Sequence, residues 1–258
     1  MALVYAQEGK EYHIGVAPGQ VGRYVILTGD PGRVSTIAAL LENPRKVAEN
    51  REYVTYTGAL EGVPVSVVST GIGGPSAAIA LEELVHCGAD TFIRVGTAGG
   101  IQPEVCGGDL VIATGAVRFE GTSKEYAPLE FPAIADHRLV CALEQSAAAL
   151  GETFHTGVVQ SKDSFYGQHD PDSMPQAGLL HSRWEAWKRC GVLASEMECA
   201  ALFVVGSVRR VRVAAVLLAM ANQTRRELRL SDTQVHSTSA AIRTAVDAMT
   251  RLIREEKT

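Results

Sequence analysis

The residues best equipped for chemistry in this chain fall in a few short segments where glycine, arginine, acidic and aromatic side chains occur together. Gly29-Asp30-Pro31-Gly32-Arg33 follows a short apolar run, Tyr24–Thr28. A glycine after a strand lets backbone N–H groups approach an anion, and a helix start beyond it adds a favourable dipole. Arg33 adds a planar fork matched to two phosphate oxygens. The plainer reading is a strand-to-helix turn with Arg33 on the surface. Arg94-Val95-Gly96-Thr97-Ala98-Gly99-Gly100 carries a second arginine inside an apolar strand. An unpaired charge there is costly, so Arg94 needs either an anionic ligand in a cleft or a structural carboxylate. Thr97 offers a hydroxyl, and the glycines after it let a ligand come close to the backbone.

Glu196-Met197-Glu198 sits where a loop enters a helix. Acidic residues favour a first helical turn whatever the function. The functional alternative is a carboxylate pair that accepts from sugar hydroxyls above a soft Met197 floor. Lys162-Asp163-Ser164-Phe165-Tyr166-Gly167-Gln168-His169 combines two aromatics, an amide and an imidazole. Such a set stacks on and reads a planar ring, or is simply an exposed loop with incidental aromatics. Ser69–Ser76 reads S-T-G-I-G-G-P-S, where the third glycine of a dinucleotide fingerprint would fall on Ser76. With no Walker-type phosphate loop either, NAD and ATP are disfavoured, and a tight turn is the simpler role.

Periodicity outlines the elements that must position these segments. Tyr24–Thr28 predicts a strand, and Pro31 opens a helix continued by Val34, Ile37, Ala38 and Leu41. Tyr53–Leu60 and Val63–Thr70 predict a hairpin around Glu61-Gly62. A helix to about His86, a strand over Thr91–Val95 and a glycine-rich loop over Gly96–Gly100 follow. Asp109–Phe119 and Thr153–Gln160 read as strands, Asp136–Leu150 as a helix capped by Asp136, and Ser161–Gly178 as a long polar loop. Glu196–Val208 is predicted helical, Val211–Met220 a buried strand, Ala221–Thr233 a loop and Val235–Arg254 the last helix, with Ile242, Val246, Met249 and Ile253 inward. Alternating strands and helices imply an α/β fold, one domain over residues 1–258, with ligands gathered at strand ends.

Composition sets the outer limits. Lys plus Arg total 24 against 29 for Asp plus Glu, a net charge of -5. That balance argues against nucleic acid as a partner and requires any anion site to be built locally. The five cysteines are scattered, without a C-x-x-C pair, which suits a reducing compartment. Met1–Lys10 has no basic segment followed by an apolar stretch, and the longest apolar run, Val213–Ala221, is too short to span a bilayer. The expected location is cytoplasmic, with no membrane partner.

Taken in order, the segments resemble the uridine phosphorylase branch of the hexameric nucleoside phosphorylase family. The resemblance runs through YHIGV (Tyr12–Val16), GDPGR, NREYVTY (Asn50–Tyr56), STGIGGPS, IRVGTAGGIQP (Ile93–Pro103), APLEFPA (Ala127–Ala133), SKDSFYGQ, SEMECAALF (Ser195–Phe203) and ANQTRRE (Ala221–Glu227). It implies a nucleoside phosphorylase fold with a central mixed β-sheet, partly barrel-like, flanked by helices. The implied reaction is phosphorolysis of uridine, and also of deoxyuridine or thymidine, to uracil and α-ribose 1-phosphate. That is a pentosyltransferase step of pyrimidine salvage, with inorganic phosphate as co-substrate and no redox cofactor or catalytic metal.

The same resemblance distributes roles. Gly29, Arg33, Arg94 and Thr97 match the phosphate site, with Arg51 contributed by a neighbouring subunit. Thr97, Glu196, Met197 and Glu198 match the ribose site, with a neighbour's His13 reaching the 5′-hydroxyl. Gly99, Phe165, Gln168, His169, Met220 and Ala221 match the base site. Glu52, Ile72 and Ser76 match positions that hold a monovalent cation such as K+ between subunits in some members. The implied assembly is a homohexamer, a trimer of dimers. One departure stands out: many members carry an arginine two residues after the glutamine, and Asp170 stands there in a loop one residue shorter. His169 or Lys162 is then the expected replacement donor. Arg94, Gln168, His169, Lys162 and Glu198 form the expected catalytic set. A purine-specific member is disfavoured because Met220-Ala221-Asn222 offers an amide where those enzymes carry an aspartate. A nucleosidase would not need the arginine cluster, and a pure binding protein would not need the full set of polar groups.

Overall fold

β-branched and apolar runs form the buried strands, and the segments between them supply helices to both sheet faces. The computed structural model describes residues 9–257, so most of the segment read for a targeting signal lies outside the described residues. In chain order the elements are β1 (Tyr24–Thr28), α1 (Val34–Ala38), β2 (Glu42–Asn50), β3 (Tyr53–Leu60), β4 (Val63–Ser69) and α2 (Gly74–His86). Then come β5 (Thr91–Gly100), β6 (Leu110–Phe119), α3 (Thr122–Tyr126), β7 (Ala133–Ile134), α4 (His137–Ala149) and β8 (Phe154–Lys162). The last third holds α5 (Phe165–His169), α6 (Ala177–Arg189), β9 (Ala194–Glu196), α7 (Cys199–Arg209), β10 (Arg212–Asn222), α8 (Gln223–Glu227) and α9 (Ser239–Lys257).

The strands form one mixed sheet in the order β10-β6-β8-β9-β5-β1-β4-β3-β2, with β7 paired to β6. β10 also pairs with β5, so β10, β6, β8, β9 and β5 close on themselves as a small barrel. The strand period of two sorts the core. Val25, Leu27 and Phe92 pack toward α2 and α7 with Leu81, Leu84, Leu202 and Phe203. Tyr24, Ile26, Ile93 and Val95 pack on the opposite face with Leu139, Leu143, Met249 and Leu252. Arg94 therefore shares the Phe92 side of β5, where α2 and α7 begin. Among the described residues, no helix is long and apolar enough to cross a membrane.

The predicted hairpin forms, with Glu61 and Gly62 both at positive φ as a two-residue turn requires. Asp136 caps α4 by accepting from the Leu139 N–H at 3.0 Å. Elsewhere tertiary pairing overrides local pattern. Gly96–Gly100 is not a loop but the second half of β5, because β10 and β9 supply ladders on both sides. The segment 161–178 is not wholly irregular: β8 runs on to Lys162, α5 follows, and α6 begins at Ala177. The helix predicted from Glu196 starts only at Cys199, since Ala194–Glu196 pairs as β9 with β5 and β8. The segment 221–233 contains α8, and the last helix begins at Ser239 rather than Val235. β2, with a largely charged and exposed sequence, is an edge strand whose ladder partner is β3.

Gly100 is required by close packing: a Cβ there would stand 2.7 Å from Asn222 Nδ2. That amide donates to the Gln102 and Val105 carbonyls at 2.8 Å, and its oxygen accepts from the Arg225 N–H at 2.9 Å, capping α8. Gly100→Ala should lower the unfolding free energy by about 2 kcal/mol through overpacking. Gly99→Ala, where a Cβ meets nothing within 4 Å, should cost less than half as much. Denaturant titration of the two variants checks the contrast.

Candidate functional site

Parallel strands β1, β5 and β10 end on the same side of the sheet. Their C-terminal ends, the Ser195–Glu198 turn and α5 enclose a cleft of about 520 Å³. One end of it is suited to an oxyanion. Asp30 accepts from the Gly32 N–H at 2.8 Å, fixing the turn, and its other carboxylate oxygen lies 3.7 Å from Arg33 Nε. Both Arg33 and Arg94 line the cleft beside Gly29 and Thr97. Arg94 has the carboxylate partner that one sequence alternative required, and it also lines the cleft that the other required.

Arg94 is 4% exposed, donates through Nη2 to Glu198 Oε2, and lies with Nε 3.6 Å from Glu196 Oε2. Burial opposes its charge, but Glu198 and Glu196 outweigh that and hold the guanidinium protonated. Its Nε and Nη1 are buried without a hydrogen-bond partner. Nη1 lies toward Gly29, where a Cβ would stand 4.0 Å from it. Nε faces the Glu196 carboxylate beyond hydrogen-bond reach, so Nη1, toward a backbone glycine, is the edge that an oxyanion would satisfy and that otherwise carries a desolvation cost.

The two glutamates differ in their surroundings. Glu196 ends β9 and caps α7, accepting from the backbone N–H groups of Glu198 at 2.8 Å and Cys199 at 2.9 Å, and from the Ser161 hydroxyl. It therefore stands before the helix rather than in its first turn, where the sequence pattern places it. Glu198 accepts from the Gly73 N–H at 2.7 Å and from Arg94, which keeps it beside the anion end. Burial raises the Glu198 pKa, Arg94 opposes the rise, and nearby Glu196 adds to it. Met197 lines the cleft between them.

The far end is suited to a planar ring. Phe165 and His169 lie one helical turn apart on α5, with ring centroids 4.3 Å apart. Met220, Ala221, Gly99 and Gln168 complete the wall. Behind them Ser195 Oγ accepts from Lys162 Nζ at 2.7 Å and contacts Gln168 Oε1 at 2.6 Å and Gln160 Oε1 at 2.5 Å. One hydroxyl proton serves one glutamine at a time. A Gln168 oxygen turned toward Ser195 leaves its amide N–H groups as donors. Burial pushes the Lys162 pKa down to about 8, with Glu196 and Glu198 offsetting part of the effect. Partial burial and the charges of Lys162 and Arg226 lower the His169 pKa, so its imidazole is neutral at pH 7.

Not every expected residue reaches this cleft. His13 pairs with Glu83 at 2.6 Å, and Arg51, at positive φ, lies over the Tyr12 ring at 5.6 Å. Neither lines the cleft of its own chain. Glu52 accepts from the Ser76 hydroxyl at 2.7 Å outside the cleft, while Ile72 is at its edge. Sequence reading missed Ser195, Gln223 and Arg226. The last two are three residues apart in α8, which places them on one helical face. Their signal lay in the ANQTRRE segment, hidden by the expectation of a loop. A second cavity of about 550 Å³, lined by Phe119, Trp184 and Trp187, shares Lys162, Gln168 and Gln223 with the cleft.

Comparison with known proteins adds an independent line. The family model described as the phosphorylase superfamily matches residues 23–254. The uridine phosphorylase of Treponema pallidum (strain Nichols) is 59% identical over 256 residues, covering 99% of each chain. That of Thermococcus kodakarensis is 47% identical over 223 residues, 86% of this chain and 80% of its own. A guanosine phosphorylase of Halorubrum lacusprofundi is 39% identical over 207 residues, 80% of this chain and 81% of its own.

The Lys162 environment has a stability consequence. Its folded pKa of about 8 lies below the ordinary 10.5, so protonation is penalised in the folded state. The penalty is fully present below about pH 8 and relieved as pH rises to the ordinary lysine value. Stability of the wild type relative to Lys162→Met should therefore rise by about 2 to 3 kcal/mol between pH 7.5 and 10. Unfolding titrations at both pH values check the sign and size.

Proposed function

The chain belongs to the phosphorylase superfamily, and we propose that within it the chain catalyses phosphorolysis of uridine to uracil and α-ribose 1-phosphate. The observation that carries this reading is the buried Arg94 guanidinium, which has Nη2 on Glu198 and an unpartnered Nη1 toward Gly29 in a cleft that Arg33 also lines. Breaking the glycosidic bond leaves positive charge on the sugar and negative charge on the base, so catalysis requires groups that respond to both. Phosphate held by Arg33, Arg94, Thr97 and the Gly29 backbone attacks C1′ from the α face with inversion, as the C1′–N1 electron pair leaves with the base. Its own negative charge stabilises the oxocarbenium-like sugar. Glu198 accepts from ribose hydroxyls beside Met197, and Glu196 holds that turn in place.

Phe165 packs on the base while Gln168 donates to its carbonyl edge. Lys162 and His169 stand behind as further donors, each slowing uridine turnover when replaced by alanine. A donor that shares a proton with the leaving group is worth roughly 100- to 10,000-fold. Uridine is favoured over guanosine by Asn222. Its fully buried side chain is engaged with Gln102, Val105 and Arg225, and it does not line the cleft. No acid stands there to protonate a purine ring. The two-edged substrate requirement also separates this reading from a nucleosidase, in which water would need no arginine pair.

The same geometry supports sites shared between subunits. His13 and Arg51 lie outside their own cleft, which supports their serving a neighbour's phosphate and 5′-hydroxyl in a dimer, three of which make a hexamer. The Glu52 carboxylate, Ser76 hydroxyl and Ile72 carbonyl would hold a monovalent cation at that interface. An all-oxygen donor set suits such an ion, which supplies charge compensation and takes no part in the chemistry. A reducing, cytoplasmic setting fits the scattered thiols.

Incubation with uridine, thymidine, inosine and adenosine, each with and without phosphate, tests the reaction. Uracil release only with phosphate is expected; release without it, or release of purines instead, would contradict the assignment. For the shared site, Arg51→Ala and Arg33→Ala should each lose most activity alone. Randomly mixed subunits should regain about a quarter of wild-type activity, since half the dimers are hybrids with one intact site.

A further inference from the structure

Three chargeable groups stand at the ring end of the cleft, Lys162, His169 and Arg226, and they differ in what each can offer a base departing as an anion. His169 is neutral at pH 7. The Lys162 ammonium is buried and donates to Ser195 at 2.7 Å. Arg226 brings a guanidinium fork, which donates without accepting. It extends from α8 on the same face as Gln223. Its Nε donates to Asp232 Oδ2 at 3.3 Å. Asp232 has a side chain only 4% exposed, and the same oxygen accepts the Asn222 N–H at 3.0 Å, so the anchor is fixed to the end of β10. The bond to Asp232 uses Nε, so the two terminal nitrogens of this cleft-lining side chain are not needed to hold it in place.

Resting on the phosphorolysis reading, we propose that Arg226 is a catalytic residue that binds a carbonyl oxygen of the pyrimidine and takes up the charge developing on the departing base. Asp232 positions it. Because a guanidinium only donates, Arg226 favours a carbonyl edge over an amino edge and so selects uridine over cytidine. This assignment gives the departing base a guanidinium donor although Asp170 occupies the turn after Gln168.

The test compares wild type, Arg226→Ala, Arg226→Gln and Asp232→Asn with uridine, 5-fluorouridine and cytidine at saturating phosphate. Both Arg226 variants should lower kcat/KM for uridine about 100-fold, mostly in kcat, with the phosphate KM unchanged. The loss should be smaller for 5-fluorouridine, whose base leaves more readily as an anion, and the preference for uridine over cytidine should shrink. Asp232→Asn should fall between wild type and Arg226→Gln. Wild-type-like uridine turnover in Arg226→Gln would overturn the proposal. So would equal losses on uridine and 5-fluorouridine accompanied by a rising phosphate KM. Wild type that releases no uracil with phosphate would instead overturn the phosphorolysis reading on which the proposal rests. Arg226→Gln, a change at a half-exposed side chain, decides the matter if Arg226→Ala does not fold.

Discussion

A single buried positive charge, that of Arg94, constrains the rest of the site. Placing a guanidinium 4% exposed inside an apolar strand is tolerable only when its donors meet acceptors. Glu198 meets one edge, and Glu196 lies near a second. Glu196 in turn is held by the start of α7 and by Ser161, so the counter-charge is anchored to backbone rather than free to move. The remaining Nη1 lies toward the Gly29 turn, where only a residue without a side chain lets an anion close to the backbone. Charge, counter-charge and glycine turn thus form one unit, and in the proposed reaction a phosphate would complete it.

Barrel closure brings that unit to the ring-reading end. β5 continues through Gly96–Gly100 because β10 and β9 flank it, and the narrow glycine side lets Leu217 and Asn222 pack against it. The same pairing sets the end of β10, from which Asn222 caps α8 and presents Gln223 and Arg226. On the other side β8 delivers Lys162, and α5 delivers Phe165, Gln168 and His169. The residues proposed to donate to the base and to hold the phosphate are therefore carried by one sheet and the helices at its strand ends. A preorganised donor set of this kind needs little rearrangement as charge develops.

Much of this was legible in the residues themselves, and for physical reasons. The Tyr24–Thr28 strand, the Glu61-Gly62 hairpin and the Asp136 cap are local features, set by β-propensity, positive φ and a side-chain acceptor. A charge at Arg94 in an apolar run announced either a partner or a ligand, and the protein provides the one while leaving edges for the other. What escaped depends on pairing between distant segments. The glycines of β5 resemble a loop until two neighbouring strands are in place. β2 is charged and edge-exposed, and α6 has no buried residue, so neither carries a periodic apolar signal. The roles of Ser195 and Arg226 emerge only when β9 and α8 exist as elements.

A crystal structure with inorganic phosphate tests the central claim most directly. The account predicts phosphate oxygens within hydrogen-bond distance of Arg94 Nη1 and the Gly29 backbone, with Arg33 closing on the same anion and Glu198 still on Nη2. Phosphate bound elsewhere, with those Arg94 edges turned to protein acceptors, would contradict it.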